Sequence, residues 1–213
     1  MKITKYGHAC LMLEEQGQKL FIDPGSYTPD LGDISNVAGV VITHVHPDHF
    51  DPGNIAKILA ANPQVQVWST GEVAKQLANP QVQIVTDGDT ATTSPFALRF
   101  YGQMHTEIHV DLPLNNQNVG VLVNDTLYYP GDSFTLPAGA TVKELALPVS
   151  APWLKVGEAI DFLRAVKPTR CFPTHDALLS DIGHASVNAW IGRVCEEQGI
   201  ALAYLQPGES LET

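Results

Sequence analysis

The segment Thr43-His44-Val45-His46-Pro47-Asp48-His49 places four side chains able to bind a transition metal within six consecutive positions. His44 and His46 are two residues apart, and side chains of an extended chain alternate with period two, so both point the same way and can grip one ion. Asp48 and His49 fall where the chain bends toward the next helix, and that bend can aim both at a second ion beside the first. Eight histidines spread over 213 residues rarely give such a local density. The bland alternative is a solvated polar loop.

A site of this kind needs elements that hold its loops still. Residues 39–43 form a continuous apolar run too short for a helix, as expected of a strand buried on both faces, and it ends at His44. Before it, residues 3–6, 9–13 and 19–22 read as strands, the last two joined by the polar turn 15–18. After Pro52-Gly53, Asn54 is expected to cap a helix through residue 61 with Ile55, Ile58 and Leu59 on one face. Strand 65–68 follows, then a helix capped by Thr70 with Val73, Ala74 and Leu77 inward. Strands are expected at 82–85, 97–101, 119–123 and 126–129, with a turn at Asp87-Gly88-Asp89. The last third alternates between strand 144–148, helix 156–166, strand 170–173, helix 186–198 and strand 201–205. Pro168 ends the first of these helices because it lacks an amide hydrogen and clashes with the preceding turn. With no linker or repeat dividing the chain, residues 1–213 read as one α/β domain of layered sheets covered by helices.

The HxHxDH run resembles the signature of the metallo-β-lactamase superfamily, and further segments match that family in order. Phe21-Ile22-Asp23-Pro24 resembles its aspartate-after-strand motif, Gly102-Gln103-Met104-His105 its third histidine, Tyr129-Pro130-Gly131-Asp132-Ser133 its GD motif, and Phe172-Pro173-Thr174-His175-Asp176 its final histidine. The resemblance implies an αββα four-layer sandwich, two mixed sheets flanked by helices. It also implies two divalent metal ions: His44, His46 and His105 on the first, Asp48, His49 and His175 on the second, and Asp132 bridging. Such nitrogen and oxygen ligands suit zinc foremost, or manganese or iron. The oxygen-reducing di-iron branch is set aside, since the resemblance implies a glutamate there in place of His46. Asp23 is expected to accept a hydrogen bond from a ligand imidazole, against the alternative of a simple turn before proline.

Hydrolysis is the expected chemistry. Two ions about 3.5–4 Å apart hold a bridging hydroxide near neutral pH; Asp132 would position it, and Asp48 would relay a proton to the leaving group. His8, in Gly-His-Ala-Cys, resembles the N-terminal segment of the sugar-phosphate lactonase-like branch and is expected either at the cleft or as a hydrogen-bonded structural residue. His109, four positions after His105, faces the cleft mouth or solvent. Trp153 either walls a pocket or belongs to the core, and Lys155 either meets an anionic group or starts a helix at the surface. His184 is expected ahead of the last helix, as a cap or in solvent.

Composition narrows the substrate. The formal charge is −11, from 12 Lys+Arg and 23 Asp+Glu, which disfavours polyanionic nucleic acid and anionic membranes, though two divalent ions would leave the cleft itself locally positive. No signal peptide or membrane span is expected near the N-terminus. Cys10, Cys171 and Cys195 are widely spaced without CxxC, so buried thiols in a reducing cytoplasm are expected. The leading function is a metal-dependent hydrolase cleaving a lactone, ester, amide or phosphoester bond in a small molecule, an anionic one included. A phosphodiesterase acting on nucleic acid and a non-catalytic metal-binding module are the alternatives. Glutathione thioesterase action is less favoured, because the chain lacks the C-terminal helical domain the resemblance implies for that branch.

Overall fold

Alternation along the early strands decides the layering: Leu20 and Ile22 share one buried cluster with Trp68 and Phe100, while Phe21 between them joins another with Ile55 and Ile58. Period-two geometry thus sends one face of the strand toward a second sheet and the other toward helices. The computed structural model describes residues 1–28, 30–111 and 116–213. Its first sheet has the order β14-β1-β2-β3-β4-β5-β6 and its second β13-β12-β11-β10-β9-β8-β7. The first comprises β1 (Lys2–Lys5), β2 (Leu11–Glu15), β3 (Gln18–Ile22), β4 (Val37–Ile42), β5 (Gln66–Ser69), β6 (Val82–Ile84) and β14 (Ser210–Glu212). The second comprises β7 (Thr90–Thr93), β8 (Phe96–Tyr101), β9 (Gly120–Val123), β10 (Leu127–Tyr129), β11 (Glu144–Pro148), β12 (Arg170–Thr174) and β13 (Ala201–Leu202).

Each sheet is antiparallel at one end and parallel at the other. Strands β1, β2 and β3 are antiparallel neighbours, whereas β3 through β6 run parallel. Likewise β7 through β10 are antiparallel and β10 through β13 parallel. The inner faces meet in a core containing Leu11, Leu13, Ile22, Val41, Phe96, Val121, Tyr129 and Phe172. Helices α1 (Pro52–Ala61) and α2 (Gly71–Leu77) cover the outer face of the first sheet through Ile55, Ile58 and Val73. Helices α3 (Val156–Val166) and α4 (Asp181–Gln198) cover the second through Phe162, Leu163, Ile191 and Val194. The αββα sandwich of two mixed sheets is therefore the architecture. Among the described residues no helix is long and apolar enough to cross a membrane.

Several boundaries differ from expectation for identifiable reasons. Asp51, not Asn54, caps α1: its Oδ1 accepts the Asn54 amide at 2.7 Å, and Pro52 occupies the first turn, where no amide hydrogen is needed. Helix α4 begins at Asp181 rather than residue 186, because Ser180 Oγ accepts the Gly183 amide at 3.3 Å. His184 consequently lies within the helix, and the placement ahead of it is corrected. Strands β7 and β14 were not expected, since Thr-Ala-Thr-Thr and Ser-Leu-Glu carry too few apolar residues to stand out at sheet edges.

Candidate metal centre

Parallel strands deliver most of the site from their carboxyl ends. Asp23 follows β3, His44 to His49 follow β4, Asp132 follows β10, and His175 follows β12. Open α/β sheets characteristically bind ligands at such ends. His105 arrives from the loop after β8. Asp23 and His175 have φ of 48° and 56°, the left-handed region that non-glycine residues enter at a cost of about 1–3 kcal/mol. Gly25 permits a close approach: a Cβ there would fall 1.9 Å from the Asp48 carbonyl oxygen.

The expected histidines and aspartates converge. Asp132 sits in the middle, with Oδ2 3.3 Å from His105 Nε2, 3.2 Å from His175 Nε2 and 3.8 Å from His44 Nε2. Its Oδ1 is 3.1 Å from His49 Nε2. One carboxylate therefore faces both halves of the cluster. The donor atoms of His44, His46, His105 and Asp132 all lie within 4.8 Å of one another, as do those of His49, Asp132 and His175. The His46 ring stands 4.7 Å from both His44 and His105. Asp48 Oδ2 is 3.4 Å from His175 Nε2 and 3.9 Å from His49 Nε2.

Outside these donors lies a layer of hydrogen bonds. Asp23 accepts the Thr43 amide at 2.7 Å, the Thr43 hydroxyl at 2.6 Å and His49 Nδ1 at 2.6 Å. Thr43 Oγ1 in turn is 3.0 Å from His44 Nδ1, so Asp23 steers two rings, one directly and one through a hydroxyl. His105 Nδ1 donates to the Thr106 carbonyl at 2.5 Å and His175 Nδ1 to that of Ser150 at 2.6 Å. Trp153 Nε1 donates to Asp132 Oδ2 at 2.9 Å, and Asn118 Oδ1 accepts the Asp132 amide at 3.0 Å. Sequence reasoning anticipated the Asp23 acceptor but not Thr43, Asn118 or the indole bond; these depend on contacts between distant segments.

The electrostatics favour positive charge at the centre. Burial drives the His44 pKa well down, and burial lowers His46 too. For His49 burial opposes charge, but Asp132 and then Asp23 outweigh it and raise the ring well above its ordinary value. His175 is likewise pushed up, to about 9, as Asp132 and Asp48 overcome burial. Asp132 is held well below the carboxylate range despite burial, chiefly by His49, by the hydrogen bond with His105 and by His175 Nε2 at 3.2 Å.

The fit to metal is visible in atoms with nothing to bond. Buried His44 Nε2, His49 Nε2, His175 Nε2 and Asp132 Oδ1 have no hydrogen-bond partner and all face the cluster. Buried polar atoms are ordinarily satisfied, and divalent cations suit this mixture of imidazole and carboxylate.

A cleft of about 240 Å³ opens over the cluster. Its floor includes His46, Asp48, His105, Asp132 and His175, and Tyr27, Pro47, Ile108, Pro152, Trp153 and Leu178 form its walls. Trp153 is thus wall and hydrogen-bond donor together. Two expected contacts need correction. Lys155 is exposed at the N-cap of α3, where its amide donates to Glu158 Oε2 at 2.8 Å, and it does not line the cleft. His109 is also exposed and outside the lining, its Nδ1 accepting the Asp111 amide at 3.1 Å. His8 is fully buried beneath the cleft. His184 lies 4.0 Å from Asp176.

Comparison with known proteins bears on family and fold. A family described as "Beta-lactamase superfamily domain" is matched over residues 2–175. Protein Rv0786c of Mycobacterium tuberculosis is 36% identical over 185 residues, covering 84% of this chain and 86% of its own. A UPF0173 metal-dependent hydrolase of Chelativorans sp. is 30% identical over 166 residues, covering 70% of each chain. The metallo-β-lactamase fold protein YhfI of Bacillus subtilis superposes with a TM-score of 0.75 at 14% identity, over 100% of this chain and 99% of its own.

Proposed function

Because the chain belongs to the β-lactamase superfamily of metal-dependent hydrolases, we propose that the cleft is a two-metal hydrolytic centre for a small molecule with a lactone, ester, amide or phosphoester bond. The observation that carries this proposal is the ring of buried, unpartnered donor atoms around Asp132. His44, His46 and His105 would hold one ion and Asp48, His49 and His175 the other, with Asp132 facing both; zinc is the first choice, manganese or iron the next. When bound, the ions supply water made nucleophilic near neutral pH and Lewis-acid polarisation of the group under attack.

The chain's own residues do the rest. Asp132 is fixed by the Trp153 indole and the Asn118 carboxamide, so it can orient the attacking water. Asp48 lines the cleft and is partly exposed; it can carry a proton to the leaving group. Tyr27, Ile108, Pro152, Trp153 and Leu178 offer an apolar mouth, and among the described lining residues none is Lys or Arg. That chemistry supports an uncharged substrate with an apolar substituent, which narrows the expectation of an anion. Net charge −11 speaks for a small substrate over nucleic acid, and Cys10, Cys171 and Cys195 as buried thiols suit a cytoplasmic setting.

The test is turnover of a panel of uncharged aryl and alkyl esters, lactones, amides and phosphodiesters by zinc-loaded protein, with His46→Ala as control. Hydrolysis of an apolar ester or lactone, abolished in His46→Ala, is expected. Turnover confined to RNA or charged phosphodiesters would contradict the substrate assignment.

A further inference from the structure

His8 lies between β1 and β2, held through its carbonyl, its ring face and Nδ1. Its carbonyl accepts the His175 amide at 2.7 Å, its ring centroid is 3.9 Å from that of His175, and its side chain has no exposure to solvent. Nδ1 accepts the backbone amide of Ala177 at 3.0 Å. Nε2 lies 3.4 Å from Asp48 Oδ2 but forms no hydrogen bond with it or with any other atom in this structure. By spacing alone, His8, Asp48 and His175 form a ligand-like triple, with donor atoms within 4.8 Å of one another.

We propose that His8 is not a metal ligand but a positioning residue: its Nε2 hydrogen, directed at Asp48 from 3.4 Å here, is donated to that carboxylate when it serves an ion and holds it in place. A neutral imidazole carries one N–H and one lone pair. The Ala177 amide can only donate, so Nδ1 must present its lone pair to it, and the ring proton must reside on Nε2. A doubly protonated ring would set two N–H groups against each other at that contact. With its proton directed at Asp48, Nε2 has no lone pair to give an ion.

The other rings have the reverse arrangement. His49, His105 and His175 each place Nδ1 against an oxygen that can only accept, from Asp23, Thr106 and Ser150. His44 Nδ1 meets Thr43 Oγ1, whose own hydrogen is committed to Asp23. Once an ion displaces the inner proton, all four therefore turn an Nε2 lone pair inward. His8 alone among these five turns an N–H inward. An ionised carboxylate has about four lone-pair sites, so Asp48 can accept from His8 and still serve an ion, and carboxylate ligands are commonly braced in this way. The second ion belongs to the function proposed above, whereas the His8 tautomer follows from the Ala177 contact alone.

The tautomer can be read directly from long-range proton–nitrogen NMR spectra of the imidazole rings in zinc-loaded, histidine-labelled full-length protein, with His8 assigned by the signals missing from His8→Gln. A protonated Nε2 and a bare Nδ1 are expected at His8, and a protonated Nδ1 with a zinc-bound Nε2 at His44, His49, His105 and His175. A bare or zinc-bound Nε2 at His8 would overturn the proposal. Zinc titration supplies the second readout. His8→Leu should weaken the second zinc by about 10- to 100-fold, and His8→Gln, which keeps a side-chain N–H, should recover most of it. Unchanged binding in His8→Leu, or equal loss in both variants, would overturn the positioning role. Zinc content of the wild type separates the two claims: one equivalent with His8 still protonated at Nε2 would refute the second metal and leave the tautomer standing.

Discussion

Asp23 shows how much of the centre depends on one carboxylate outside the cluster. It accepts from Thr43 twice and from His49 once, and reaches His44 through the Thr43 hydroxyl. Asp23→Ala strands buried donors, each costing about 1–3 kcal/mol, and frees both rings to rotate. Thermal unfolding should show a clear loss of stability, and zinc titration a fall in affinity of about 10- to 100-fold; an unchanged zinc isotherm would refute the steering role. Trp153→Phe keeps an apolar wall but deletes the indole bond to Asp132, so affinity should drop by about 10-fold, while KM for an apolar ester moves little against kcat. At this scale the sequence was most legible where chemistry is local. His44, His46, Asp48 and His49 declare themselves by spacing, but Thr43, Asn118 and the Trp153 N–H look ordinary until the fold brings distant segments together. Lys155 was open between an anion contact and a surface helix start, and the structure has the second, at the N-cap of α3.

The elements explain why these residues meet. Most of the donors sit at the carboxyl ends of parallel strands, and the left-handed residues Asp23 and His175 turn the chain sharply as it leaves β3 and β12. Gly25 lets one such loop lie against the next. Gly25→Ala would bring a methyl group 1.9 Å from the Asp48 carbonyl oxygen, backbone that can yield only by moving the loop. A stability loss of about 1–3 kcal/mol is expected, with weaker binding of the second zinc and little effect on the first. Denaturant unfolding with paired zinc titrations measures both, and wild-type behaviour would refute the close approach. Buried strands were legible because both faces are covered and the run stays apolar; β7 and β14 were not, being polar edges whose pairing is fixed by their neighbours. Caps were harder still. Asp51 and Asn54 have similar propensities, and only the backbone geometry decides which accepts and which donates.

For the whole molecule, metal and fold should be coupled. The sandwich gathers His44, His49, His175 and Asp132 in its interior with donor atoms unsatisfied by protein, so anything that binds them in the folded state alone stabilises it. Zinc at 100 times its dissociation constant contributes about 2.7 kcal/mol, which for a chain of this size is a rise in Tm of roughly 5–10 °C. Calorimetry before and after chelation should show that difference, and equal Tm values would deny the coupling. Layered sheets covered by helices were legible from the alternation of strand and helix, and the four-layer order of two mixed sheets from the family resemblance, yet the cleft's apolar mouth was not, because Tyr27, Ile108 and Leu178 come from three separate loops. Anomalous diffraction at the zinc edge from crystals of zinc-loaded protein tests the central claim most directly. Two peaks are predicted, one among His44, His46 and His105 and one among Asp48, His49 and His175, with Asp132 between them and His8 outside the ligand sphere. A single peak, or zinc bound away from Asp132, would contradict the two-metal centre.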